Sequence, residues 1–505
     1  MLDELTWQDR LWFWVKAHPR VAFAEPLLLW ACSFAYFAML ACKEYNWVFT
    51  SGDSGEFMAM AHYWSAPHLF GMPLYQALGH LLHTLPWDLQ ITMPVLLSAL
   101  PASVAVALVY LIVHKMTGKP ATAIVAALVL CGAAVFMSEA QVTKEYALAT
   151  MFMAASFYFY ITGRKALAVI SIGLGSAIHM VVVAVAVLWF LLEWRKWWRY
   201  LPLYALFGLA PYSLTLWELG NDSMPLIAGG GLSLSTINAY LGSAGIAGSI
   251  GIYQAPARFF AEFRILIVSL GLAFVPLIIG LRKPWLIEAK MLLVAIVFPA
   301  WYYLSCLDPT TWTYLCFAMP FCAIAAGLGL ARMKLVHIRL VFIGALILIA
   351  ANGYMLNSTR LNTEQPIAAA YYTDLQAIPD GSAVIVHRGG FYGSGMFYAL
   401  SEGKNIIPIY YRFENEKNIL WWQYASWMNT TYELEGDSTQ ELAISAMAQG
   451  KNVYALIPVK DPIAKRIYNE SWAAVMSVEP YNDNFVKVVG MNNIPVYSST
   501  YTENK

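Results

Sequence analysis

Thr50-Ser51-Gly52-Asp53-Ser54-Gly55-Glu56-Phe57 follows the first long apolar run, and Glu44 is the only carboxylate between that run and this stretch. Asp53 and Glu56 stand three apart ahead of Phe57-Met58-Ala59-Met60. That is the spacing of a capping box, so a helix is predicted to start here. A carboxylate at a helix N-terminus is held rigidly and is kept ionised by the helix dipole. Such a group suits a general base that takes a proton from a hydroxyl. Capping alone also accounts for the pair, and the two roles are compatible. Asp53 is the better base, because Glu56 is placed to serve as the partner in the box.

The rest of the chain makes such a patch conspicuous. Of 505 residues 59% are hydrophobic and 12% are charged, where a soluble protein would be about 25% charged. Mean hydropathy is +0.55. These values predict an integral membrane protein. Lys plus Arg and Asp plus Glu balance at 31 each, with no basic run, which excludes the electrostatic footprint of a nucleic-acid binder. The six cysteines lie in or beside apolar runs without metal-ligand spacing and read as small buried hydrophobes. The charged and aromatic first twenty residues do not read as a cleavable signal peptide.

Apolar runs of spanning length recur at about 23–42, 91–113, 120–138, 146–162, 166–192, 201–219, 264–281, 290–306, 312–330 and 338–356. The run 166–192 is too long for one ordinary span and is interrupted by Gly173, Gly175 and His179, so it reads as two short helices turning near His179. Arg10, Lys16 and Arg20, then Lys115 and Lys119, Arg164 and Lys165, Arg195, Lys196 and Arg199, Arg282, Lys283 and Lys290, and Arg332, Lys334 and Arg339 all fall on one side if that run crosses twice. The positive-inside rule then gives about eleven spans with a cytoplasmic N-terminus. Three outer loops follow, at about 43–90, 138–146 and 220–263. The few outer cations include Lys144, Arg258 and Arg264. The two arginines also read as interface anchors.

After about residue 358 the spanning runs stop. Short β-branched runs at Ala383–His387, Ile406–Tyr411 and Val453–Ile457 alternate with helical stretches at 391–402, 415–428 and 438–450. That alternation predicts an extracytoplasmic α/β domain, 358–505, with a partly parallel sheet, appended to a membrane domain, 1–357. The turn Arg388-Gly389-Gly390-Phe391-Tyr392-Gly393-Ser394-Gly395 lacks the Walker lysine and reads as structural. Triplets for N-glycosylation at Asn221, Asn357, Asn429 and Asn469 lie on the predicted outside.

Gly52–Phe57, Ala61 and Pro67-His68-Leu69-Phe70-Gly71-Met72-Pro73-Leu74-Tyr75 together resemble the first outer loop of a known family. It is the protein O-mannosyltransferase-like family of the multi-spanning GT-C glycosyltransferases, with a GDSGE-type motif followed by an HPPGYPLY-type motif. Ser138–Ala147, with Glu145-Tyr146, resembles its second outer loop and E-x-Y element. Gly173–His179 resembles its Gly-rich, His-containing turn. The match covers roughly residues 20–195. It departs at PHLFG, where one proline is displaced, and at Asp308–Tyr314, which lacks the arginine often found at the matching turn of other GT-C enzymes.

The resemblance implies a polytopic GT-C fold and a donor sugar on a polyprenyl phosphate, with inverting transfer to a hydroxyl at the outer face. Mannose and a protein Ser/Thr hydroxyl are the expected sugar and acceptor. A glycan or lipid acceptor is the nearest alternative. Asp53 would be the base, with Glu56 beside it. His68, Tyr75, Lys144, Glu145, His179, Arg258 and Arg264 would contact substrate, Glu145 by orienting the acceptor or a site cation, and the cations by meeting the leaving phosphate. An ionisable group such as His179 inside an apolar run is itself a functional signal. No cofactor is expected. His80 and His83, at i,i+3, allow a divalent cation, but no third ligand is evident in the sequence. The plasma membrane is the expected location. A transporter would place charges mid-span and repeat internally, and neither feature is seen. A non-catalytic scaffold is separated from an enzyme by the effect of Asp53→Asn.

Overall fold

The computed structural model describes residues 24–42, 53–63, 72–213, 255–282, 286–305, 312–359, 365–386, 399–400, 402–410, 439–457 and 476–491. Helices α1 (Ala24–Ala41), α2 (Asp53–Tyr63) and α3 (Pro73–His83) lead into α4 (Leu89–Thr117), which has a π-helical stretch over Pro94–Ala99. Helices α5 (Pro120–Gly132), α6 (Ala134–Glu139), α7 (Tyr146–Ile161), α8 (Lys165–Ser176), α9 (Met180–Leu192) and α10 (201–213) follow. Then come α11 (Ala255–Leu270), α12 (Phe274–Gly280), α13 (Ile287–Ser305), a 3₁₀ turn (Trp312–Ala318), α14 (Met319–Leu330) and α15 (Leu335–Thr359).

Local chemistry sets these boundaries. The Asp88 carboxylate accepts from the Gln90 N–H at 2.8 Å and caps the start of α4. Gly118, at φ 68°, takes the left-handed cap at its end, and Pro120 opens α5 where a missing N–H costs nothing. The long run 166–192 does break into two helices, at Ala177-Ile178-His179. The run 120–138 also breaks, at Ala133, into α5 and α6.

Among the described residues, five stretches are long and apolar enough to cross a membrane: Ala24–Ala41, Leu89–Thr117, Phe263–Gly280, Thr313–Leu330 and Leu335–Thr359. Helices α5, α7, α8 and α9 are apolar but shorter. Thr313–Leu330 is 83% buried and Leu335–Thr359 only 17%, so the first runs through the middle of the bundle and the second along its rim. Small residues allow the tightest approach. A Cβ on Gly280 would stand 1.8 Å from the Ala325 carbonyl oxygen, and one on Gly329 would stand 1.8 Å from that of Pro276. Helices α12 and α14 therefore touch backbone to backbone, as membrane helices do where glycine lets them.

After α16 (Gln365–Ala377) comes a five-stranded sheet with α17 (Thr439–Ala448) packed on it. Its strands are β1 (Ala383–Val386), β2 (Ile407–Tyr410), β3 (Val453–Leu456), β4 (Met476–Pro480) and β5 (Phe485–Met491), in the order β2-β1-β3-β5-β4. Strands β2, β1 and β3 are parallel, and β5 runs antiparallel to β3 and β4. Alternation divides the side chains between two faces. Ala383, Ile385, Ile407, Ile409, Val453 and Ala455 pack with Leu442, Ala443 and Ala446 of α17. Val384, Val386, Tyr454, Leu456 and Phe485 belong instead to the core that continues through the membrane helices. The three strands read from the sequence appear within a residue, and the sheet is partly parallel. Helix α16 and strands β4 and β5 were not read. Segment 415–428 and the Arg388–Gly395 turn lie outside the described residues.

Candidate active site

Helix α2 begins at Asp53, within a residue of where the capping-box spacing puts it. Ser54, Phe57, Met58, Ala59 and Met60 are all buried. The Phe57 ring meets the Tyr75 ring edge-on, with centroids 5.1 Å apart. One turn further along, a Cβ on Gly79 would stand 3.2 Å from that of Ala61, and the His80 Nδ1–H donates to the Ala61 carbonyl at 2.8 Å. The pairings 57–75, 61–79 and 62–83 show that α2 and α3 run parallel. Their N-termini, with Asp53 and Tyr75, lie at one end. Their C-termini bring together His62 and His83, whose rings are 4.5 Å apart, and His80, 6.2 Å from His83. Burial first, then the neighbouring imidazoles, hold His62 and His83 below the usual imidazole range. The fold thus adds His62 to the His80/His83 pair. Even so, among the described residues no group of three His, Cys, Asp or Glu side chains is arranged to hold a metal ion.

The 139–145 segment is a floor rather than a solvated turn. Glu139, Gln141, Thr143, Lys144 and Glu145 are each at most 3% exposed. Three ionisable groups in so short a buried segment carry a desolvation cost that packing alone does not require. Ser98, from the π-helical part of α4, fixes the loop by donating to the Val142 carbonyl at 2.5 Å and standing 3.1 Å from that of Lys144. The Lys144 ammonium lies 5.4 Å from the Tyr146 ring centroid, a cation–π contact. Tyr75 is fully buried beside this loop. Burial, then the Glu145 charge, push its phenol well up, while the nearby Ser98 hydroxyl pulls the other way. Among the described residues its hydroxyl has no partner at good hydrogen-bond geometry, and neither has that of Thr143.

His179 closes the site from the turn between α8 and α9. Its Nδ1 accepts from the Val181 N–H at 3.1 Å, and its Nε2 is 3.6 Å from Glu145 Oε1. Its ring centroid lies 4.8 Å from that of Phe317, 5.4 Å from Tyr146 and 5.8 Å from Tyr314. The Leu74 N–H donates to the Ala177 carbonyl at 3.2 Å, which ties the start of α3 to the same turn. The N-termini of α3, α7 and α9 therefore converge around Glu145, and α2 joins them through Phe57 and Tyr75. Converging helix N-termini favour an anion.

Of the residues singled out from the sequence, Tyr75, Lys144, Glu145 and His179 come together. Asp53 and Glu56 start α2 at the same end, and their side chains lie outside the described residues. His68 and most of the Asp308–Tyr314 turn also lie outside them. Arg258 sits on α11, which packs against α5 and α6, and its side chain is likewise outside the described residues. Arg264 is exposed on α11, and no hydrogen bond or ion pair among the described residues joins it to the cluster. Ser98 and Phe317 escaped the sequence reading. A serine and a phenylalanine in apolar runs carry no signal of their own.

Comparison with known proteins defines the class. The fold is that of GT-C membrane glycosyltransferases. The crystal structure of ArnT from Cupriavidus metallidurans bound to undecaprenyl phosphate superposes with a TM-score of 0.61 at 12% identity, covering 92% of this chain and 97% of that one. Its apo structure gives 0.60 at 11% identity, with 92% and 98% covered. Residues 53–200, from the start of α2 to just beyond α9, match the family described as Protein O-mannosyl-transferase TMEM260 N-terminal domain. The resemblance read from the loops is therefore upheld over residues 53–200, in a chain with the fold and apolar helices of an integral membrane protein. No curated protein is found to match the chain.

Proposed function

We propose that the chain moves a single mannose from a polyprenyl-phosphate donor to a Ser or Thr hydroxyl of a protein, with inversion, on the outer face of the plasma membrane. The observation that carries this reading is the convergence of helix N-termini around the buried Lys144-Glu145 floor, beside the N-terminus of α2 where Asp53 stands. An anionic leaving phosphate needs dipolar or cationic partners that are already in place. The loop supplies both, with Lys144 as the cation. Asp53 takes the proton of the attacking hydroxyl, and Glu145 orients the acceptor. The family description supports the sugar and the protein acceptor, and a structural neighbour solved with undecaprenyl phosphate supports the lipid carrier. The charge distribution supports about eleven crossings, a cytoplasmic N-terminus and an outer α/β domain over 358–505.

The test is incubation of the purified chain with labelled polyprenyl-phosphate sugars and a cell extract, followed by mass spectrometry of protein, glycan and lipid fractions. Label on Ser or Thr of protein is the expected result. Label only on glycan or lipid would move the acceptor assignment, and no transfer from any donor would overturn the enzyme reading.

A further inference from the structure

His179 carries a role that its burial alone does not suggest. It stands in extended conformation, φ −152° and ψ 136°, at the N-cap of α9. Its backbone N–H donates to the Gly175 carbonyl at 3.0 Å, which closes α8. Its side chain caps α9, because Nδ1 accepts from the Val181 N–H at 3.1 Å. An imidazole nitrogen that accepts this bond holds a lone pair there, so the ring proton sits on Nε2. Nε2 faces Glu145 Oε1 at 3.6 Å. Phe317, Tyr146 and Tyr314 surround the ring and leave it little freedom to turn. Gly175 lets this turn lie close to α7 and to the first turn of α9, since a Cβ there would stand 3.3 Å from the Phe152 Cβ and 3.1 Å from the Val182 Cγ1.

We propose that His179 is a positioning residue rather than a proton carrier or a sugar contact: held as the Nε2–H tautomer by the cap of α9, it aims the Glu145 carboxylate at the acceptor. This rests on the glycosyl-transfer reading, and it assigns the one ionisable group in the α8–α9 turn. The two halves of the role separate by substitution. Asn at 179 retains a capping oxygen near the position of Nδ1 but is too short to reach Glu145. Gln reaches as far as Nε2 and retains a donor, but it caps poorly.

The experiment uses the full-length chain in nanodiscs. In transfer assays, His179→Asn should unfold at the wild-type temperature yet lose at least tenfold in kcat with little change in donor KM. The loss should be equal at every pH. Glu145→Gln should lose as much, and the double variant no more than either alone, as expected for two groups acting as a unit. His179→Gln should unfold at lower temperature than His179→Asn and recover kcat relative to His179→Ala. Full activity of His179→Asn, additive losses, or a changed pH profile would each overturn the proposal. A readout independent of transfer keeps the two readings apart. The ¹⁵N shifts of His179 at pH 7 should report the Nε2–H tautomer, and Glu145→Gln should move the Nε2 resonance. If the wild type transferred no sugar, that shift would still decide the coupling, and a protonated Nδ1 or an unmoved resonance would refute it.

Discussion

The Leu74 N–H and the Ala177 carbonyl, 3.2 Å apart, join two segments separated by about a hundred residues of chain. One end of this bond is the first turn of α3, which carries Tyr75, and the other is the turn that carries His179. Through it the two loop motifs share one site, and the predictions for that site follow from what each residue touches.

Asp53→Asn should leave folding intact and lower kcat about 10²–10⁴-fold, the usual worth of a general base. Glu56→Ala should act chiefly on the start of α2, costing about 0.5–2 kcal/mol as lost caps do. Thermal unfolding beside single-turnover transfer separates the two. Equal loss of transfer in both variants would remove the distinction between base and cap.

Tyr75→Phe removes a buried hydroxyl that has no partner at good hydrogen-bond geometry among the described residues, so stability should hold or rise. Transfer should nonetheless fall about tenfold if that hydroxyl waits for substrate. Ser98→Ala should behave oppositely. It withdraws the donor from Val142 and costs about 1–3 kcal/mol, which is measurable as a lower unfolding midpoint.

The histidines at the far end of α2 and α3 give a pH dependence of definite sign. Burial and mutual repulsion keep His62 and His83 below the ordinary imidazole value, so the unfolded chain binds protons more readily than the folded one. Stability is therefore unaffected above about pH 6.5 and declines as pH falls below it toward the depressed folded values. Protection of the α2 and α3 amides against exchange, corrected for the intrinsic rate at each pH, should fall between pH 7 and 5, and His83→Gln should flatten that response.

Gly329→Ala and Gly280→Ala should be poorly tolerated, because each new Cβ would meet a backbone carbonyl at 1.8 Å and no side chain can move aside. A loss of at least 1–3 kcal/mol, typical of overpacking, should appear as a reduced yield of folded protein in detergent. Gly118→Ala, by contrast, meets nothing within 4 Å and should be penalised only for its left-handed backbone.

The legible part of this molecule was what chain-local chemistry encodes. Gly173, Gly175 and His179 announced a break in an apolar run, and the break is there. Asp53 and Glu56 announced a helix start, and the helix starts there. Tyr75, Lys144, Glu145 and His179 were each marked by residue type in an unlikely place, and the fold gathers them. What stayed hidden depends on contacts between distant segments. Nothing near Ser98 reveals that its hydroxyl ties down the loop at Val142 and Lys144. Nothing in residues 53–83 reveals that α2 and α3 run parallel. Strands β4 and β5 were passed over because Glu479, Lys487 and Gly490 dilute their apolar pattern.

Helices α8 and α9 have 12 and 13 residues, or about 18–20 Å each, against a hydrocarbon layer of about 30 Å. On the proposed topology, with Arg164-Lys165 and Arg195-Lys196 at the cytoplasmic surface, their shared tip at His179 would stop about 10 Å short of the outer edge of that layer. The sugar-bearing phosphate of the proposed donor would then have to reach below the membrane surface to meet it. Water there is scarce, so an activated donor that has entered has few nucleophiles to meet besides the hydroxyl delivered to it. On that reading, sparing the donor from hydrolysis would fall to the shortness of two helices.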